Sequence, residues 1–218
     1  MHALQNQRLF LFFFLLCTLL PLSSFVHAVP PKLPPQFLSL LKEQKRPLSS
    51  SVLVVSVAEQ KMVLFQDQKP IKAYKISTAK NGIGQKQNSY QTPAGLHLIA
   101  QKIGHLAPSG TIFTERKVSG QVWDIDHADE WKNADLVLTR ILWLEGLEPG
   151  FNQGKLPSGE VVDSMSRYIY IHGTHHEEFL GSPMSKGCIR MKNSDIVELF
   201  DLVKVGTLVY IMEKAYDR

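Results

Sequence analysis

The sequence predicts a mainly β domain of short strands with some α, carrying one clear helix late in the chain. Three observations predict it. The apolar runs are short, rich in β-branched residues or alternating, and are divided by polar turns. An apolar stripe at clear helical spacing occurs late, where Ile196, Leu199, Phe200 and Val203 share one face. Strand and helix signals do not alternate, which argues against a doubly wound parallel sheet.

The elements follow in order. Arg8, the apolar run from Leu9 to Leu22 and the small-residue site Val26-His27-Ala28 read as a secretory signal peptide over residues 1–28. The run is short of the ~20 residues that span a bilayer comfortably, so cleavage is preferred to a retained anchor. Leu16 precedes Cys17 where a lipid-attachment motif needs a small residue. Residues 29–50 read as a proline-rich spacer, with Pro30, Pro31, Pro34 and Pro35, followed by a short helix over 37–44. Residues 51–213 form the domain. Strands are expected at 52–57, 61–65, 72–77 and 96–100, with a turn at Thr92-Pro93-Ala94-Gly95. The stretch 101–136 shows no clear period. Further strands are expected at 137–144 and 168–171, with a long loop between them over 146–159. The helix over 194–203 has Asn193 or Ser194 as its cap. A strand at 208–211 closes the domain.

Composition narrows the function. The net charge of +4 is too small to argue for nucleic acid and suits an anionic surrounding. Of two cysteines, Cys17 falls in the signal peptide, so the mature chain keeps Cys188 alone. An unpaired thiol in an exported protein is buried and inert, bridged to another chain, or reactive.

Its surroundings favour reactivity. His172 ends a strand in Tyr168-Ile169-Tyr170-Ile171-His172-Gly173-Thr174, and Cys188 sits in a turn within Ser185-Lys186-Gly187-Cys188-Ile189-Arg190-Met191. A thiol attacks as thiolate, and an imidazole can take its proton. Gly187 lets the backbone approach a ligand closely, and two N–H groups at such a turn could form an oxyanion hole. Lys186 or Arg190 would add positive potential, and Arg190 could grip a substrate carboxylate.

These two segments resemble the L,D-transpeptidase catalytic domain, also called the YkuD domain. The likeness extends to the strand pair around Gln60, Ile76-Ser77-Thr78, the turn at 92–95, Asn193, Asp195, Leu199, Phe200 and Val205-Gly206-Thr207. The resemblance implies a mixed β-sandwich-like fold and no cofactor or metal. It implies that Cys188 attacks the bond after meso-diaminopimelate in a peptidoglycan tetrapeptide stem, forming a thioacyl-enzyme. An amine on a second stem, giving a 3–3 cross-link, or on a wall-attached lipoprotein would then accept the acyl group. His172 would move the protons, a carbonyl at Gly173 would orient it, and Ser185, Lys186, Gly187 and Arg190 would bind substrate. Such an enzyme works in the periplasm or facing the wall, meeting membrane only through an uncleaved signal. The alternatives are a carboxypeptidase or hydrolase using the same pair, and a non-catalytic wall-binding module.

One departure stands out: the family usually has His where this chain has Lys186. An ammonium keeps positive charge but cannot accept a proton at neutral pH, so a changed substrate preference or pH profile is expected. His175, His176, Glu177 and Glu178 could suggest a metal centre, but their spacing fits no common zinc pattern and a solvated loop is preferred. Trp123, Trp131, Trp143, Tyr168 and Tyr170 read as core or groove. Arg167 reads equally as a groove cation or a surface charge.

Overall fold

The computed structural model describes residues 31–131 and 134–216; the signal peptide expected over residues 1–28, with Cys17, lies outside the described residues. The elements are α1 (Pro35–Glu43), β1 (Ser51–Ser56), β2 (Lys61–Gln66), β3 (Lys69–Ser77), β4 (Gly95–Ile103), β5 (Thr111–Thr114), β6 (Lys117–Val122), β7 (Val137–Gly146), β8 (Tyr170–Gly173), β9 (Ile189–Met191), α2 (Asn193–Leu202) and β10 (Leu208–Met212). Among the described residues no helix is long and apolar enough to cross a membrane.

The strands form one mixed sheet in the order β4-β10-β1-β2-β3-β9-β8-β7-β5-β6. An added pairing of β4 with β7 closes the sheet on itself. Pairs β1–β10 and β8–β9 are parallel.

Closure gives the central strands two apolar surroundings. Leu53 and Val55 of β1 join Met62, Leu64, Ile99, Leu142 and the α2 residues Ile196, Leu199 and Phe200 in one core. Val52 and Val54 face the other way, into a second cluster with Phe65, Leu208 and the α1 residues Phe37 and Leu41. A strand buried on both faces needs a continuous apolar run, which is how β1 reads.

The short helix expected over 37–44 begins at Pro35. Pro34 is the cap and Pro35 stands in the first turn, where a missing N–H costs nothing. Leu33 is already buried with Phe37 and Leu41, so the end of the proline-rich stretch is docked on the sheet. The late helix is also capped differently from expectation. Lys192 is the cap residue and makes no side-chain capping bond.

β5, β6 and β9 had no clear sequence signal. β6 is exposed along its length, so neither face imposes an apolar period. β9 has three residues, too few to show one.

Candidate active site

The parallel pairing of β8 with β9 builds the site. Ile171 stands level with Ile189 and His172 with Arg190, which sets Cys188, just before β9, beside Tyr170. Alternate residues of neighbouring strands share a face, so Tyr170, His172 and Cys188 look the same way. His172 and Cys188 line one cleft of about 230 Å³ with Asp135, Val137, Arg167, Tyr168, Ile169, Tyr170, Ser185 and Lys186. A larger cavity of about 420 Å³, between α1 and the C-terminal segment, shares none of these residues. Chemistry, not volume, selects the smaller one.

His172 is 1% exposed. Its Nδ1 lies 2.8 Å from the Gly173 carbonyl oxygen, which fixes the ring and leaves Nε2 as the basic nitrogen. Burial lowers its pKa to about 4 and outweighs the Gly173 carbonyl, which acts in the opposite direction. Gly173 has no room for a side chain: an added Cβ would stand 2.3 Å from Asn193 Oδ1 and 2.9 Å from the Leu138 carbonyl. Asn193 ties this strand end to α2. Its Nδ2 donates to the Thr174 carbonyl at 2.7 Å and to Glu177 at 2.9 Å, and its Oδ1 accepts from Thr139.

Cys188 is part-exposed and unpaired. Its S–H donates to the Tyr168 carbonyl and its sulfur accepts from the Tyr170 N–H, both at 3.4 Å. Loss of water around the sulfur pushes the thiol up to about 12, against the Tyr170 N–H and the cations Arg190 and Arg167. Asp135 adds to the rise. Burial thus favours the neutral thiol and the neutral imidazole at rest.

The remaining expected residues divide. Ser185 lines the cleft, but its hydroxyl staples the turn: it donates to the Cys188 carbonyl at 2.6 Å and accepts from the Gly187 N–H at 3.2 Å. The Gly187 amide is thereby engaged within the turn. Gly187 adopts φ +132, which only glycine takes readily, and its carbonyl accepts from Thr92 at 2.9 Å. Lys186 is exposed at the junction of the cysteine cleft with two neighbouring ones. Arg190 is nearly buried, pairs with Asp135, and lines the adjoining cleft rather than that of Cys188.

Sequence reasoning missed Asp135, Asn193 as a tie and Thr92 as a brace, and left Arg167 undecided. Thr92 carried the one available signal, its place in the turn at 92–95. The loop over 146–159 does not line the cysteine cleft. The carboxylate of Glu177 serves the Asn193 amides and that of Glu178 meets His176. Among the described residues no group of three or more His, Cys, Asp or Glu could hold a metal ion.

Residues 50–211 match the family model described as the L,D-transpeptidase catalytic domain. Bacillus subtilis putative L,D-transpeptidase YkuD is 46% identical over 56 residues, 25% of this chain and 34% of that protein. Bacillus subtilis putative L,D-transpeptidase YqjB is 51% identical over 47 residues, 22% of this chain and 27% of that protein. Salmonella typhimurium probable L,D-transpeptidase ErfK/SrfK is 43% identical over 58 residues, 27% of this chain and 19% of that protein. The matched segments thus span about a third or less of these relatives' own lengths. Among solved structures, an L,D-transpeptidase from Mycobacterium smegmatis aligns at 13% identity over 75% of this chain and 58% of that one, with a TM-score of 0.45.

Proposed function

Because this chain belongs to the L,D-transpeptidase catalytic domain family, we propose that it is an exported cysteine L,D-transpeptidase acting on peptidoglycan stem peptides. The observation that carries this reading is the shared cleft of Cys188 and His172, with the imidazole held by Gly173.

The neutral resting pair sets the mechanism. The stem's scissile carbonyl enters beside Cys188. His172 Nε2 takes the thiol proton as sulfur attacks, so the thiolate forms only as it is used. The C–S bond forms, the bond from carbonyl carbon to the D-alanine nitrogen breaks, and imidazolium returns the proton to the departing amine. In the second half an acceptor amine attacks the thioester. Its proton passes to His172 and then to the leaving thiolate, which restores the resting state. The acceptor is a second stem, giving a 3–3 cross-link, or an amine on a wall-attached protein. The apolar run before Ala28 supports export to the periplasm or wall.

Intact-mass analysis after incubation with a carbapenem, then with a purified disaccharide-tetrapeptide, tests the reading. The expected results are a covalent adduct, its absence in Cys188→Ala, and a cross-linked product. An adduct with only trimmed tripeptide would identify a carboxypeptidase. No adduct and no turnover from folded protein would identify a binding module.

A further inference from the structure

The electrostatics of the cleft pose a question. Arg190, the arginine nearest Cys188 in sequence, pairs with Asp135, and the two act on the thiol in opposite directions. A second arginine, outside the cysteine motif, lines the cysteine cleft itself, which Arg190 does not.

Arg167 is held by main-chain oxygens. Its Nη1 donates to the carbonyls of Gly84 at 3.1 Å and Gln85 at 2.8 Å; its Nη2 donates to the Gln91 carbonyl at 2.7 Å and the Ser89 hydroxyl at 3.4 Å. These oxygens are neutral, so they fix the guanidinium without cancelling its charge. Among the described residues it has no carboxylate partner. The planar fork of arginine suits such a ring of acceptors better than a lysine ammonium does. The next residue, Tyr168, takes φ +57 and presents its carbonyl to the Cys188 thiol. One short segment therefore carries both the fixed cation and the group that aims the S–H.

We propose that Arg167 is a positioning residue for the reaction: an uncancelled cation that holds negative charge on the Cys188 sulfur as it forms and as it leaves. This rests on the reading of Cys188 as nucleophile. Other groups around the thiol do not fill the role. Asp135 and Arg190 oppose each other. Arg116 donates to the Tyr170 hydroxyl at 3.4 Å and lies 4.9 Å over the Tyr168 ring, but it does not line the cleft, and burial favours the neutral form of His172. Lys186 is exposed to water at the cleft's edge, where its field is screened. Desolvation acts against the charged form of Arg167, while proximity to Cys188 favours it.

The test compares Arg167→Gln with Arg167→Lys, each checked for folding by circular dichroism and thermal unfolding. The readout is the rate of Cys188 alkylation by iodoacetamide between about pH 7 and 9, below the thiol's ionisation. Arg167→Gln is expected to slow alkylation ~10-fold there. Arg167→Lys, which keeps the charge, should stay within ~3-fold of the native rate. An unchanged rate in Arg167→Gln, or an equal loss in both variants, overturns the proposal and leaves Arg167 a loop clamp. If Arg167→Gln does not fold, the native protein reports instead. Anionic iodoacetate should alkylate Cys188 faster relative to neutral iodoacetamide than it does a free thiol, because the cation draws it in; a ratio equal to or below that of the free thiol overturns the proposal. Alkylation reads the thiol whether or not it is the nucleophile, so failure here is separable from failure of the carbapenem test.

Discussion

Arg190 and Asp135 meet with Nη2 to Oδ1 at 2.5 Å, and the arginine side chain is only 7% exposed while the carboxylate is 30% exposed. The arginine Nε has no hydrogen-bond partner among the described residues. The pair therefore holds a buried cation by a single anionic contact, next to the cysteine cleft. Asp135→Asn should destabilise the fold by about 2 kcal/mol, less than for a fully buried pair because the carboxylate is partly in water. It should also raise thiol reactivity, since Asp135 pushes the Cys188 pKa up. Urea unfolding and iodoacetamide kinetics measure the two effects; slower alkylation in this variant would contradict the assignment.

Gly173→Ala should abolish turnover and cost about 1–3 kcal/mol, as overpacking does. The new Cβ would meet Asn193 Oδ1 and the Leu138 main chain, and the latter cannot swing aside. Asn193→Ala in the same chain should recover only part of the loss. Thermal unfolding and product assays on both variants check this, and full recovery would show that the backbone contact is harmless.

His97 gives the fold an acid limit. It is fully buried, with Nδ1 3.1 Å from the Gly95 carbonyl and Nε2 3.0 Å from Ser164 Oγ. Burial lowers its pKa from 6.5 to about 4, as it does for His172. Between these values the unfolded chain binds protons that the native chain refuses. Their stabilising effect is present above about 6.5 and is lost as pH falls towards 4, by up to ~1.4 kcal/mol per pH unit for each histidine. Unfolding midpoints measured across this window should fall with pH, and His97→Gln should flatten the slope. An unchanged slope would mean that His97 is not neutral in the native state.

Lys186→His tests the departure from the usual family pattern. The side chain is exposed, so stability should move by less than ~0.5 kcal/mol. Activity should persist, with a new limb near neutral pH from the added imidazole. A pH–rate profile superimposable on the native one would show that this position does not tune the reaction.

The sequence made most of the strands legible because burial on one or both faces wrote a period or a run into them, as in β1 and β3. β5 and β6 left little trace: β6 is wet throughout and free to take any polar residue. The pair proposed as nucleophile and base was readable because His172 and Cys188 sit in compact motifs, which the β8–β9 pairing brings into one cleft. Their electrostatic partners were not. Arg167 bonds to oxygens 76 to 83 positions away, and Asp135 meets Arg190 across 55. Pairings at such separations are set by the closure of the sheet, and no local spacing announces them. Asn193 misled for a related reason. Its type suits a helix cap, but its amide is taken up by Thr174 and Glu177.

For the exported enzyme proposed above, the protonated state of Cys188 also bears on resistance to oxidants. Peroxides attack thiolates far faster than thiols, and a sulfenic acid is rescued most readily by a second cysteine. Cys188 is the sole cysteine among the described residues, so none of them stands ready to rescue its sulfenic acid. Keeping the proton on sulfur until a substrate sits beside His172 shields the group from oxidants during idle periods. The slow idle chemistry of the thiol and its resistance to oxidants are then two effects of one desolvated sulfur.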